Sequence, residues 1–198
     1  MPPFTVLHVC MGNICRSPMA ERLMLLAAHN MVGDKADELL HVHSAGTGGW
    51  HVGAEMEGAA ARQVRKRGGD PDRFMARKLR AEHIDTSDLI LTATTSQHDQ
   101  VLGLRPDAAP RTFVLGEFGR LLGRVNVYLL PPGAPDPQAV YARGVALVAE
   151  GDAVRGGQLP RTADDLDDPW GRSDLYFSRV ADQIEETVRP LTSALLRS

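Results

Sequence analysis

The stretch FTVLHVCMGNICRSPMAERLMLLAA, residues 4–28, joins an apolar run to a segment of helical periodicity through a short loop. The run at 4–9 predicts a strand. Residues 17–30 predict a helix, because Met19, Leu23, Leu26 and Ala27 recur at helical spacing. A strand, a short loop and a helix form the first half of a βαβ unit, so this stretch indicates an α/β fold.

The same alternation continues along the chain. Strands that alternate with helices indicate right-handed βαβ units and a parallel sheet covered on both faces. In such sheets ligands gather at the carboxyl ends of the strands, where the loop of the opening stretch lies. Further strands are expected at 39–46, 87–94 and 111–118, and further helices at 54–68, 96–103 and 172–196.

Residues 119–166 are harder to interpret. They contain a proline-rich turn region at 129–137, a candidate helix at 139–151 and a polar, loop-like segment at 155–168. No repeat or domain boundary is evident, so residues 1–198 are interpreted as a single domain.

Composition excludes several classes of protein. A formal net charge of -3 over 198 residues gives no overall basic field that would attract nucleic acid or an anionic membrane. No segment approaches the roughly 20 apolar residues of a membrane span. The two cysteines lie only five positions apart, which does not suit the disulfide framework of a secreted domain. A cytoplasmic location is therefore expected.

Histidines give no convincing metal site. His41 and His43 share one face of a predicted strand, but no third ligand stands at suitable spacing, so no metal or other cofactor is expected. His51 and His98 are interpreted as surface residues or as residues behind the site.

The loop at 10–17 has the features of an anion-binding site. A strand–loop–helix connection aims backbone N–H groups and the positive end of a helix dipole at one point. Gly12 permits a close backbone approach, and the planar fork of Arg16 can hold two oxygens of a phosphate-like group. Cys10 at the bottom of such a cup would be a nucleophile, since electropositive surroundings favour the thiolate. A buried, inert cysteine is the alternative.

The motif CMGNICRSPMAE resembles the signature of the low-molecular-weight protein tyrosine phosphatases. The likeness extends to SAGTGGW at 44–50, SDLIL at 87–91 and DPWG at 168–171. It implies a bacterial-type member with a four-stranded parallel sheet in a flavodoxin-like three-layer sandwich, no metal, and hydrolysis through a phosphocysteine. On this interpretation Cys10 is the nucleophile, Arg16 clamps the phosphate, and residues 119–166 are an insertion of unknown role.

A tyrosine leaving group requires a general acid at neutral pH. Spacing alone does not distinguish Asp164, Asp165, Asp167 and Asp168. The resemblance singles out Asp168, which directly precedes proline, with Asp167 as the runner-up.

The resemblance also assigns walls and supports to the cleft. Trp50 and Trp170 are expected to line it, although Gly171 replaces a second aromatic residue and Phe74 replaces a histidine common in relatives. Asn13 and Ser44 are expected to support the loop through hydrogen bonds. The phosphate is expected to contact the loop residues Met11, Gly12, Asn13, Ile14, Cys15 and Ser17.

Three hypotheses on chemistry remain open. The expected substrate is a phosphotyrosine protein, with inorganic phosphate as a further ligand. An arsenate reductase of the same fold is disfavoured because residues 80–100 lack cysteine, and a phosphoarginine phosphatase is disfavoured because Ile14 stands where such relatives carry threonine. Cys15 is interpreted either as a small buried hydrophobe or, from the resemblance, as a redox partner of Cys10.

Overall fold

The computed structural model describes residues 2–197, and its centre is a four-stranded parallel sheet. The strand order is β2-β1-β3-β4, and β1 pairs in parallel with both of its neighbours. The predicted α/β fold with a four-stranded parallel sheet is confirmed. The strands are β1 (Phe4–Cys10), β2 (Leu40–Gly46), β3 (Leu89–Thr92) and β4 (Thr112–Val114).

Helices connect the strands and cover both faces of the sheet. They are α1 (Arg16–Val32), α2 (Ala36–Leu39), α3 (Gly58–Lys66), α4 (Ala81–Asp85), α5 (Thr95–Leu104), α6 (Leu115–Leu122), α7 (Pro137–Arg155) and α8 (Asp174–Leu196). Side-chain caps define several starts: Ser173 accepts from the Tyr176 N–H at the start of α8, and Glu57 accepts from two backbone N–H groups of α3.

Alternating residues of β1 supply two separate cores. Phe4 and Val6 face the larger core, which includes side chains of α1 and α8. Leu7 and Val9 face the smaller core, which includes side chains of α4 and α5. This alternation follows from the two-residue period of a strand, and it places β1 and its loop at the centre of a three-layer sandwich.

The prediction of a strand over 111–118 is wrong beyond Val114. The chain turns there into α6, whose buried residues Leu115, Phe118 and Leu121 recur at helical spacing. The Glu117 carboxylate accepts from the Val114 N–H at 3.1 Å and so satisfies one free donor at the start of the helix.

The segment predicted as an insertion, 119–166, is packed against the sandwich. The predicted helix at 139–151 is longer, because Asp136 caps it by accepting from two backbone N–H groups and Pro137 suits its first turn. Arg143 of this helix is buried, and its guanidinium donates to the carbonyl oxygens of Pro131 and Ala194. Across residues 2–197, every helix is too short or too polar to cross a membrane.

Gly144 tests how closely α7 approaches β1. A Cβ at Gly144 would lie 2.4 Å from the buried Phe4 ring. Gly144→Ala should therefore destabilise the fold by about 1–3 kcal/mol, since a core that is already filled resists added volume. Urea unfolding followed by circular dichroism measures the shift in midpoint.

Gly103→Ala in α5 is the matched control, because a Cβ there meets no atom within 4 Å. Its higher helix propensity should leave the midpoint unchanged or raise it slightly. Equal midpoints for the two variants would contradict the close approach of α7 to Phe4.

Candidate active site

The loop after β1 forms the floor of a cleft of about 290 Å³ at the carboxyl end of the sheet. Its place agrees with the rule that ligand sites in parallel sheets lie at the carboxyl ends of strands. The cleft brings together most of the sequence-predicted site residues: Cys10, Met11, Gly12, Ile14, Cys15, Arg16, Trp50, Asp168 and Trp170. Asn13, Ser17 and Ser44 are buried behind it.

Two hydrogen bonds surround the sulfur of Cys10. Its Sγ lies 2.9 Å from the Ser17 hydroxyl, and it accepts from the Asn13 N–H at 3.3 Å. Cys10 is only 2% exposed, so few water molecules compete for these contacts. The Asn13 N–H can only donate, whereas in the contact between Ser17 and Cys10 either atom could be the donor.

The Asn13 side chain fixes the shape of the loop. Asn13 has a φ of 54°, a left-handed conformation that is strained for a residue with a side chain. Its Oδ1 accepts from the Arg77 N–H at 2.9 Å, and its Nδ2 donates at 2.9 Å to the hydroxyls of both Ser17 and Ser44. The supporting roles predicted for Asn13 and Ser44 correspond to these contacts.

The guanidinium of Arg16 connects the floor of the cleft to the segment before α8. Nη1 donates to the Leu166 carbonyl at 3.0 Å, and Nη2 donates to the Asp168 carboxylate at 3.0 Å. Within residues 2–197, Nε has no hydrogen-bond partner although it is buried. The Nε N–H is therefore among the donors that a bound anion would satisfy.

The four carboxylates that the sequence leaves equivalent have different partners. Asp164 pairs with Arg120, and Asp165 accepts from the Thr95 N–H and hydroxyl. For Asp164, burial alone would raise the pKa, but the hydrogen bonds from Arg120 and from the Arg161 backbone hold it below its ordinary value.

The other two carboxylates lie nearer the cleft. Asp167 accepts from the Tyr176 hydroxyl at 2.8 Å, whereas Asp168 reaches Arg16 and lines the cleft. The Tyr176 contact could not be found from the sequence, because nothing in its spacing identifies a partner for Asp167.

Asp168 also organises its own turn. Its Oδ1 accepts from the Trp170 N–H at 3.2 Å, and the Arg172 N–H donates to the Pro169 carbonyl. Gly171 has a φ of 74°, which a residue with a side chain adopts only with strain. This backbone geometry favours glycine at position 171.

The tryptophans form exposed walls of the cleft. Trp50 is 74% exposed and Trp170 is 64% exposed, so each presents its ring to solvent at the cleft rather than packing in the core. A Cβ at Gly48 would lie 1.7 Å from the Trp50 ring, which shows that the ring folds back over Gly48.

His51, interpreted from the sequence as a surface residue or one behind the site, lies at the cleft itself. Its ring lines the cleft and lies over Gly12, where a Cβ would come within 3.1 Å of the imidazole. Its position directly after Trp50 was the available signal. His41 and His43 have ring centroids 5.1 Å apart, but no group of three or more candidate metal ligands occurs among residues 2–197.

Both cysteines are free thiols, and both line the cleft. Burial raises the pKa of Cys15 far above its ordinary value, and the nearby Cys10, Glu57 and Asp168 raise it further. Cys15 is therefore protonated at neutral pH. Cys10, in contrast, has hydrogen-bond contacts with the Ser17 hydroxyl and the Asn13 N–H.

Comparisons with known proteins agree with this geometry. Residues 5–143 match the family model described as low molecular weight phosphotyrosine protein phosphatase. Low molecular weight protein-tyrosine phosphatase A of Mycobacterium tuberculosis is 38% identical over 117 residues, which cover 59% of this chain and 68% of that protein. YfkJ of Bacillus subtilis, a low molecular weight protein-tyrosine-phosphatase, is 40% identical over 90 residues, 44% of this chain and 54% of that protein.

Solved structures show the same fold. YwlE arginine phosphatase from Geobacillus stearothermophilus superposes with a TM-score of 0.66 at 22% identity, covering 96% of this chain and 92% of the other. Vibrio vulnificus Wzb in complex with benzylphosphonate gives a TM-score of 0.65 at 19% identity, covering 96% and 97%. With the family match over residues 5–143 and the loop geometry at Cys10, the chain belongs to the low molecular weight phosphotyrosine protein phosphatase family.

Proposed function

We propose that this protein is a protein tyrosine phosphatase that hydrolyses phosphotyrosine and small aryl phosphates through a phosphocysteine. The observation that carries the proposal is the position of the Cys10 sulfur at the foot of an aromatic-walled cleft, between the Ser17 hydroxyl and the Asn13 N–H. Arg16 and Asp168 complete the site at the same cleft.

The reaction has two steps. The Cys10 thiolate attacks phosphorus, the bond to the tyrosine oxygen breaks, and Asp168 gives its proton to the departing phenolate. Asp168, now a carboxylate, takes a proton from water as the water attacks the phosphocysteine. Inorganic phosphate leaves and the thiolate is restored. Arg16 and the loop N–H groups stabilise the charge on the phosphoryl oxygens in both steps.

The walls of the cleft favour an aromatic leaving group. Trp50 and Trp170 present exposed ring surface at the cleft, and a flat phenyl ring can stack on such a surface. Ile14 adds apolar surface at the floor, whereas a phosphoarginine side chain would bring a polar guanidinium into the same space. The protein partner that we propose is therefore a phosphotyrosine protein.

Arsenate reduction is the less favoured alternative, because it consumes thiols. The sequence holds two cysteines, and both lie in the 10–17 loop. A reductase that transfers its disulfide to further cysteines needs cysteines outside this loop, and the sequence contains none.

One assay series tests the proposal. Wild type and Cys10→Ser are compared on p-nitrophenyl phosphate, a phosphotyrosine peptide, a phosphoarginine peptide, and arsenate with a thiol reductant. We expect Cys10-dependent phosphate release from the first two substrates. Faster turnover of phosphoarginine than of phosphotyrosine, or arsenate reduction without phosphate release, would overturn the proposed substrate class.

Asp168→Asn tests the general acid. It should lower kcat for a phosphotyrosine peptide by about 10²–10⁴-fold, because the phenolate then leaves without a proton. The loss should be smaller for p-nitrophenyl phosphate, whose leaving group is a weaker base. Asp167→Asn is the matched control and should keep most of the activity, since its carboxylate is bound to Tyr176. A larger loss in Asp167→Asn would reverse the assignment.

Gly48→Ala tests the Trp50 wall. The added Cβ occupies the space of the Trp50 ring, so the ring must swing away while the exposed loop stays folded. We expect KM for aryl phosphates to rise severalfold with a small change in kcat. Gly49→Ala is the neighbouring control, because its Cβ meets only the flexible Lys78 side chain, at 3.4 Å. Equal KM values for the two variants would exclude stacking on Trp50.

We also propose that Cys15 protects Cys10 from irreversible oxidation. Peroxide converts the Cys10 thiolate to a sulfenic acid, and attack by the Cys15 sulfur forms the Cys10–Cys15 disulfide with release of water. The charge of Cys10 is one cause of the raised pKa of Cys15, so its loss on oxidation eases deprotonation of Cys15.

The test is recovery after peroxide treatment. Dithiothreitol should restore most activity to the wild type and much less to Cys15→Ser, whose Cys10 proceeds to sulfinic acid. Equal recovery would show that Cys15 has only a packing role.

A further inference from the structure

Glu21 is a buried carboxylate that the proposed reaction does not use. It lies in α1 one turn after Ser17, so both side chains project from the same face of the helix. Glu21 is 6% exposed and does not line the cleft. A buried carboxylate costs free energy unless hydrogen bonds or charges compensate it.

The contacts of Glu21 point toward β2. Its Oε2 accepts from the Ser44 hydroxyl at 2.6 Å, and its Oε1 lies 3.4 Å from Nε of Arg22. Burial raises the pKa of Glu21, while the bond from Ser44 and the charges of Arg22 and Arg77 act in the opposite direction. The carboxylate therefore has one short, specific partner, and that partner is Ser44.

The directions of the hydrogen bonds that lead from Glu21 to Ser17 can be assigned. A backbone N–H can only donate. The side-chain atom of Asn13 that accepts from the Arg77 N–H must therefore be the amide oxygen, Oδ1. The other end of that amide, Nδ2, must then donate to both serine hydroxyls. Each serine accepts from Asn13 and keeps its own proton to donate elsewhere.

Each serine hydroxyl has an acidic group beside it. Ser44 donates to the Glu21 carboxylate, and the Ser17 hydroxyl lies 2.9 Å from the Cys10 sulfur, to which it donates when Cys10 is a thiolate. Asn13 thus lies between the two hydroxyls and donates to both. Within residues 2–197, Asn13 and Glu21 are the side-chain partners of the Ser44 hydroxyl, so no other side chain can hold its rotamer.

We propose that Glu21 is a positioning residue for the nucleophile. By accepting from Ser44 it holds the Asn13 amide, and Asn13 in turn directs its own N–H and the Ser17 hydroxyl at the Cys10 sulfur. The inference rests on the proposed function only in taking Cys10 as the nucleophile.

The measurement is the pH midpoint of Cys10 alkylation by iodoacetamide, with fragment-ion mass spectrometry separating Cys10 from Cys15. Glu21→Leu should move the midpoint upward by about one pH unit, because donors to the thiolate are lost. Ser44→Ala should do the same, and the double variant should add nothing further, since both changes break one chain of hydrogen bonds. Glu21→Gln, which keeps an acceptor for Ser44, should stay near the wild type.

Glu117→Leu is the matched control. Glu117 is another buried carboxylate whose pKa is raised by burial, but its hydrogen bond goes to the Val114 N–H at the start of α6 and not to the 10–17 loop. It should lower the melting temperature without moving the alkylation midpoint. This separates loss of stability from loss of positioning.

Three results would overturn the proposal. These are an unchanged midpoint in Ser44→Ala, additive shifts in the double variant, or a Glu21→Gln midpoint as high as that of Glu21→Leu. Ser44→Ala keeps the proposal testable if Glu21→Leu does not fold. Alkylation needs no phosphate ester, so the result is independent of whether phosphotyrosine is the substrate.

Discussion

The arrangement of the site depends on the conformation of Asn13. The chain must turn from β1 into α1 within five residues while its N–H groups converge on one point, and Asn13 accomplishes this at a φ of 54°. A left-handed residue with a side chain costs on the order of 1–3 kcal/mol. Three hydrogen bonds of its amide offset that cost, and each reaches a different part of the chain: Arg77, Ser17 and Ser44. Contacts with three separate parts of the chain therefore hold the 10–17 loop in its conformation.

A second constraint is the close approach of the segment after β2 to the same loop. Gly48 N–H donates to the Met11 carbonyl, and a Cβ at Gly46 would lie 2.7 Å from that oxygen. Backbone meets backbone there, so a side chain at Gly46 would push the two segments apart. The approach brings Trp50 and His51 to the rim of the cleft. Glycines in this segment thus set the distance between the phosphate site and its aromatic wall.

Much of this arrangement could be predicted from local sequence, and the remainder could not for a physical reason. The 10–17 loop carries its own signal, because its glycine, arginine and serine are neighbours in the chain. The carboxylates at 164, 165 and 168 carry no such signal, since their partners Arg120, Thr95 and Arg16 are far from them in the chain. Glu21 and Ser44 are likewise 23 residues apart, and their contact exists only once α1 packs on β2.

The strand predicted over 111–118 shows the complementary error. Apolar residues run through Phe113, Val114 and Leu115, and a run of this kind fits a buried strand or a buried helix equally well. The Glu117 carboxylate favours the helix here, because it accepts from the Val114 N–H at the start of α6. The early turn also leaves Gly116 against the Asp164 carbonyl, where a Cβ would come within 2.5 Å. The end of β4 therefore helps to set the path of the segment that carries Asp168.

The ion pair between Arg16 and Asp168 links binding to proton transfer in the proposed reaction. Arg16 is buried, and its Nη2 donates one hydrogen bond to the Asp168 carboxylate. Arg16 can hold a phosphate without giving up Asp168, because a guanidinium has five N–H donors and the Nε N–H has no partner among residues 2–197. A phosphate held by Arg16 therefore lies beside the Asp168 carboxyl, which is where a general acid for the leaving group has to stand. One guanidinium thus places the bound phosphate and the proton donor of the proposed reaction side by side.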